Sequence, residues 1–163
     1  MEDRQARLRQ VARIAVALEA QTGCPAPLLI AQWALESKWG AKPAGNANFF
    51  GIKKSDRHEK CSTVSTREVV NGRSIVQDLE FADYDSLDDS CRDYAWLITQ
   101  GAPYHQAWVQ YRKDGDLHAL IEAVAGKYAT DPQYAFLAAT IAGQSNVAQA
   151  IAAARQEVPN ATA

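Results

Sequence analysis

No run of this chain is long and apolar enough to span a bilayer. Its opening residues, MEDRQARLRQVARIAVALEAQTG, are charged from the start and lack the apolar core of a secretory leader. The expectation is a chain with no signal peptide and no membrane insertion. Basic clusters are missing as well: the formal net charge is −2 and Lys and Arg are dispersed. That argues against nucleic acid as the main ligand, because phosphate binding needs concentrated cations. Cysteine is scarce, and Cys24, Cys61 and Cys91 match no metal or redox spacing. Being odd in number, at least one is free or paired between molecules, and a reducing compartment is the simpler reading. Internal repeats and domain-dividing linkers are absent, and the one compositional bias is a mild excess of alanine near 148–154.

What is present suits one domain over 1–163, since 163 residues at 47% hydrophobic content can bury a sizeable core. Leu8, Val11, Ala12, Ala15 and Leu18 recur at helical spacing and predict a helix over about 4–20, ended by Gly23, Pro25 and Pro27. A second helix is expected over 28–39, stopped by Gly40. Residues 41–60, AKPAGNANFFGIKKSDRHEK, read as an irregular loop with an aromatic anchor, a kind of segment that often lines a site. In TVSTREVVNGRSIVQDLEF, β-branched residues flank Asn71-Gly72, a pair that tolerates positive φ, so a short two-stranded hairpin is predicted. Ser86 with Asp89 resembles a capping box for a helix through Leu87, Cys91, Tyr94 and Ile98 to Gly101. Shorter helical patterns follow around PYHQAWVQY and DLHALIEAVAG. Asp131 and Pro132 then supply an N-cap and a first-position proline for a helix through Tyr134, Leu137 and Ile141. An Ala-rich helix with a frayed tail is expected over about 145–163. The layout is helical with one β insertion.

The stretch AQWALESKWG, residues 31–40, sets Glu36 between Trp33 and Trp39. At about 100° per residue, Glu36 falls beside Leu29 and Trp33, on the edge of the apolar face and one turn after Gln32. Neighbouring rings reduce its solvation and the negative end of the helix dipole lies in the same turn, so its pKa should be raised. A carboxylic acid kept protonated beside a cleft is what a glycosidase needs, because the departing alkoxide of a sugar must receive a proton. The alternative is a glutamate at a helix edge that is hydrogen-bonded or paired with a cation. A second carboxylate would lie across the cleft, and the hairpin offers Glu68, Glu80 and Asp78.

Taken in order, AQWALESKWG, NFFGIK, the hairpin, FADYDSLDDSCRDYAWLI, PYHQAW and YATDPQYA span about 24–143. Together they resemble the catalytic domain of glycoside hydrolase family 73, the bacterial and phage N-acetylglucosaminidases. The resemblance implies an α+β, mainly α, lysozyme-like fold with a small β-hairpin lobe flanking the cleft. It implies an endo-β-N-acetylglucosaminidase that cuts peptidoglycan at the β-1,4 bond after N-acetylglucosamine. Glu36, in the LES-x-WG motif, is implied as general acid, Glu68 in TREVVNG as the second carboxylate, and Tyr128 in YATDP as a tyrosine that positions groups near the acid. Asn48, Phe49, Phe50 and Gly51 match the N-x-FG loop, where an aromatic face can stack on a sugar and a glycine permits close backbone approach. Phe50 is equally suited to plug the core, and Tyr128 to be a buried structural residue. Trp39 is expected to reach the cleft, because it ends the catalytic helix, whereas Trp33, Trp96 and Trp108 suit core packing.

No metal or organic cofactor is implied, and His58, His105 and His118 show no ligand spacing. The expected partner is the peptidoglycan glycan strand, with neither nucleic acid nor membrane, and the chain is expected to be monomeric. Without an export signal, it reads as a phage or prophage lysin stored in the cytoplasm, a tail-delivered virion enzyme, or a domain excised from an exported autolysin. Two other functions compete: a muramidase or lytic transglycosylase, since lysozyme-like folds share a helix-borne glutamate, and an inactive wall-binding or virion assembly module.

Overall fold

The computed structural model describes residues 3–157; the expected tail over 158–163 lies outside them. The first helix, α1 (Arg4–Thr22), starts where the Asp3 side chain accepts the N–H of Gln5 and ends at Gly23 in a left-handed conformation. The second, α2 (Ala26–Ser37), carries Pro27 in its first turn. Every residue from Leu28 to Ala34 is buried. A helix buried on all sides belongs at the centre of a fold, and here it is surrounded by α1, α3 (Leu87–Gln100), α6 (Tyr134–Ala142) and α7 (Ser145–Glu157). Helices α4 (His105–Asp114) and α5 (Leu117–Tyr128) complete the helical body. One connected core runs from Leu8, Val11 and Ala15 through Leu29, Trp33 and Tyr94 to Leu120, Val124 and Ile151. Each large apolar side chain sealed there contributes about 1.5–3 kcal/mol. A residue carried by α2 is therefore held by the most rigid element of the molecule.

Helix α2 stops two residues earlier than its apolar pattern predicts. Lys38, Trp39 and Gly40 all adopt left-handed φ values of 50°, 59° and 78°. Ser37 stabilises this exit, its hydroxyl donating to the Trp33 carbonyl at 2.6 Å and accepting the Gly40 N–H at 2.9 Å. The Ser86 cap is present, with its oxygen accepting the N–H of Asp89 at the start of α3. Asp131 accepts the Gln133 N–H at 2.9 Å, but α6 begins only at Tyr134, so Pro132 sits in a preceding turn and not in the first helical position.

The hairpin joins β1 (Cys61–Val70) and β2 (Arg73–Ala82), antiparallel from Cys61↔Ala82 to Val70↔Arg73. Asn71 and Gly72 form its turn with φ of 51° and 74°, the pair of positive values that such a tight turn needs. At 10 residues per strand it is longer than expected. Its base is tied to the 41–60 loop, where Ala82 N–H donates to the Ile52 carbonyl and Lys54 N–H to the Glu80 carbonyl, each at 3.0 Å. Among the described residues, no helix is long and apolar enough to cross a membrane. The three cysteines are unpaired, with Cys24 and Cys91 buried.

Candidate active site

Glu36 lies on the last turn of α2, half-buried. Its Oε1 accepts a hydrogen bond of 2.5 Å from the hydroxyl of Tyr134, the first residue of α6. The same tyrosyl oxygen accepts from Gln32 Nε2 at 3.3 Å, and Gln32 Oε1 accepts from the hydroxyl of Tyr94 on α3. Gln32 and Glu36 are one helical turn apart and so share a face. A hydroxyl has one proton; since Tyr134 receives the Gln32 amide, its own proton is directed at Glu36. When Glu36 is protonated, Oε1 is thus the acceptor and the proton resides on Oε2. Burial raises the Glu36 pKa, opposed by the Tyr134 hydrogen bond, and the net direction is upward. Burial, together with the adjacent Glu36, pushes Tyr134 up as well, which keeps it a neutral donor. Among the described residues Glu36 forms no ion pair.

The 41–60 loop is folded against this acid. A Cβ added to Gly51 would sit 2.9 Å from Glu36 Oε2, and Gly51 has φ of +61°. Both space and backbone therefore demand glycine where the main chain passes the carboxyl. Asn48 is buried and knots the loop: Nδ2 donates to the Ile52 and Ala82 carbonyls, each at 2.8 Å, while Oδ1 accepts the N–H groups of Phe50 and Ile52 at 3.3 and 3.1 Å. Tyr128, the last residue of α5, donates its hydroxyl to the Phe50 carbonyl and stacks on Tyr134 with ring centroids 6.4 Å apart. A cavity of about 480 Å³ opens beside Gly51 and Tyr128.

Comparison with known proteins places this geometry. The family described as glucosaminidase, mannosyl-glycoprotein endo-beta-N-acetylglucosaminidase, matches residues 12–147. The chain belongs to the glucosaminidase family. It is thereby a glycoside hydrolase, and its fold class is the mainly helical, lysozyme-like α+β one. The chain is 34% identical over 139 residues to the peptidoglycan hydrolase FlgJ of Pseudomonas aeruginosa, covering 81% of the chain and 34% of the relative. It is 30% identical over 148 residues to a probable N-acetylmuramidase of Lactococcus lactis, covering 86% of the chain and 33% of the relative. The chain thus spans about a third of the length of these relatives. Among solved structures, the catalytic domain of the autolysin Auto from Listeria monocytogenes is similar at a TM-score of 0.76 and 28% identity, covering 92% of this chain and 88% of that one. A peptidoglycan hydrolase mutant from Sphingomonas sp. A1 is similar at 0.71 and 31%, covering 91% and 99%.

Within this chain the expected site residues divide. Glu36 and Gly51 meet directly. Tyr128 bonds the loop backbone, and the tyrosine bound to the acid is Tyr134 instead. Phe50 is fully buried, stacked on Tyr94 at 4.4 Å, so its ring plugs the core and offers no face to a sugar. The amide of Asn48 is already spent on the loop backbone. Phe49 is half-buried against the core, its N–H donating to Ser90 Oγ at 3.2 Å. Trp39 turns toward α1: Arg4 stacks over its ring at 3.7 Å, Trp33 meets it edge-on at 6.1 Å, and its carbonyl accepts from Arg7. The left-handed exit from α2 swings it that way.

The hairpin sorts its acids by strand alternation. Glu68, opposite Ile75, shares the less exposed face with Val64, Thr66, Gln77 and Leu79, which leads to buried Phe81. Asp78 and Glu80 are on the other, exposed face, and Asp78 accepts from Ser65 at 2.5 Å. Sequence reasoning missed Tyr134, Gln32 and Tyr94 as site residues. One signal was present, a glutamine within an otherwise apolar helix one turn before the acid. Among the described residues, no group of three His, Cys, Asp or Glu is placed to hold a metal ion.

Proposed function

We propose that this chain is an endo-β-N-acetylglucosaminidase of peptidoglycan, cutting the β-1,4 bond after N-acetylglucosamine with Glu36 as general acid. The observation that carries the reading is the half-buried, unpaired carboxyl of Glu36, its Oε1 committed to Tyr134 and its pKa raised. The names of the relatives, a peptidoglycan hydrolase and an autolysin, support the substrate. In the proposed reaction the Oε2 proton passes to the glycosidic oxygen as the C1–O bond breaks, so the leaving sugar departs as a neutral alcohol. The Tyr134 hydroxyl then stabilises the carboxylate left behind, a bond that strengthens as charge appears. Glu68 is the proposed second carboxylate, activating water for inversion; assistance by the substrate's own acetamido group would instead give retention. Tyr128 and Gly51 line the cavity beside the acid, Asn48 and Phe50 fix the loop that carries Gly51, and Phe49 and Trp39 pack elsewhere in this reading. In this reading one domain acts as a monomer, without metal or cofactor, as a phage or prophage lysin or as part of an autolysin.

The name of the Lactococcus lactis relative, a probable N-acetylmuramidase, favours a second reading in which the bond on the other side of the muramyl residue is cut. Mass spectrometry of borohydride-reduced products from purified peptidoglycan separates the two. Reduced N-acetylglucosamine ends are expected, and Glu36→Gln should lower the rate by about 10²–10⁴-fold. Reduced muramic acid ends would establish the muramidase, anhydro-muramic ends a transglycosylase, and an unaffected Glu36→Gln rate would remove Glu36 from the chemistry.

A further inference from the structure

The cavity beside the acid has a charge pattern that a neutral glycan does not explain. Its wall includes Gly51, where an added Cβ would run into Glu36, and Tyr128, which stacks on Tyr134. Its charged lining is cationic, from Lys53, Arg57 and Lys127, with no Asp or Glu among the lining residues. Arg57 is neutralised, paired with Asp93 at 2.6 Å and lying over the ring of Trp96 at 3.6 Å. The two lysines are not. Lys127 donates to the Pro103 carbonyl at 2.8 Å, and among the described residues Lys53 makes no ion pair or side-chain hydrogen bond. The same cavity has an apolar part to its lining, to which Ile52, Trp96, Leu97, Ala102 and Pro103 contribute. Trp96 stays 41% exposed although Arg57 lies over its ring.

Two ammonium groups with no carboxylate partner among the described residues, in a cavity with an apolar lining, favour a ligand that carries carboxylates on a small apolar chain. While a stem is attached, the lactyl carboxyl of each muramyl residue is tied up as an amide, so the glycan backbone itself offers no carboxylate. In peptidoglycan, the muramyl residue bears a short stem peptide with alanine methyls and free carboxylates, and a strand laid across Glu36 brings a stem within reach of Gly51. We propose that this cavity is a stem-peptide subsite, in which Lys53 and Lys127 hold a stem carboxylate and Trp96 packs against the peptide. The subsite rests on the reading of the chain as a peptidoglycan glycosidase and deepens it: the enzyme recognises strands that still carry stems. Lys53 lies on the segment that bridges to Phe81 at the base of the hairpin, so a stem bound there also contacts the lobe that carries Glu68.

The test compares kcat/KM on uncrosslinked glycan strands with intact stems and on the same strands stripped of stems by an amidase, their freed lactyl carboxylates then capped as methylamides so that no carboxylate is left. Wild type should favour stem-bearing strands by about tenfold, equivalent to one well-placed charge pair. Lys53→Glu should bring that ratio close to one, and Lys53→Gln should fall between. A wild-type ratio of one, or a ratio unchanged in Lys53→Glu, overturns the subsite while leaving the glycosidase reading intact, because both strands are still cut. Failure to cut either strand would instead defeat the glycosidase reading. The subsite is then decided by NMR titration of the ¹⁵N-labelled protein with a free stem tripeptide. Shifts at the Lys53 amide and the Trp96 indole N–H that vanish when the peptide carboxylates are amidated support it, and no shifts overturn it.

Discussion

A tyrosyl oxygen has one proton to give, and at Tyr134 the amide of Gln32 decides where it goes. Because Gln32 Nε2 occupies the oxygen of Tyr134 and Tyr94 occupies the oxygen of Gln32, the hydroxyl of Tyr134 points at Glu36 Oε1. The bond is worth more once Glu36 is ionised, since hydrogen bonds to charged groups contribute about 1.5–3 kcal/mol. Tyr134→Phe should therefore lower kcat by about 10–100-fold. The same substitution removes an interaction that lowers the Glu36 pKa, so the alkaline limb of the kcat/KM profile should move to higher pH. A limb that stays in place, or moves down, would contradict the network. Glu36 could be recognised in the sequence because its burial is set by Leu29 and Trp33 on its own helix. Tyr134 could not, because it lies 98 positions away and its role exists only once α6 packs on α2. The fate of Trp39 was hidden for a different reason: left-handed φ at Lys38 and Trp39 is unusual for residues other than glycine and carries no sequence signature.

At the scale of elements, the hairpin converts sequence parity into a choice among acids. Glu68 and Glu80 both occupy β strands flanking Asn71-Gly72, yet alternation sends one to each face. The turn and its register were readable from Asn-Gly between β-branched runs, and so was the cap of α3 at Ser86. Which face meets the helical body was not, because it depends on the bonds that Ile52 and Lys54 make to the base of β2. Glu68→Gln should lower the hydrolytic rate measurably, whereas Glu80→Gln on the exposed face should leave it within about twofold, given that surface substitutions are usually near neutral. A loss in Glu68→Gln equal to that in Glu36→Gln would favour a strict two-carboxylate mechanism, and a smaller one would favour assistance by the acetamido group. The reverse ranking, with Glu80→Gln the impaired variant, would show that the hairpin works through its other face.

For the whole molecule, a site that keeps an acid protonated imposes a pH dependence on stability. Burial raises the Glu36 pKa above its ordinary value, so between those two values the folded chain binds more protons at this position than the unfolded chain. Stability from Glu36 is fully present below the ordinary carboxylate pKa and is lost as pH rises through the raised one. When Glu36 ionises, its charge is held in a half-buried position on the central helix with no ion-pair partner among the described residues, and Tyr134 only partly offsets this. Glu36→Gln keeps the shape and the acceptor for Tyr134 but removes the charge. The variant should therefore melt at a higher temperature than wild type at pH 7, with the difference shrinking toward zero as pH falls below the ordinary carboxylate pKa, where Glu36 is protonated in both states. Thermal melts of the two proteins across that range provide the check. A wild type that is more stable at pH 7 would mean that the folded protein stabilises the Glu36 carboxylate more than water does, and the proposed role of Glu36 as a proton donor would lose its physical basis.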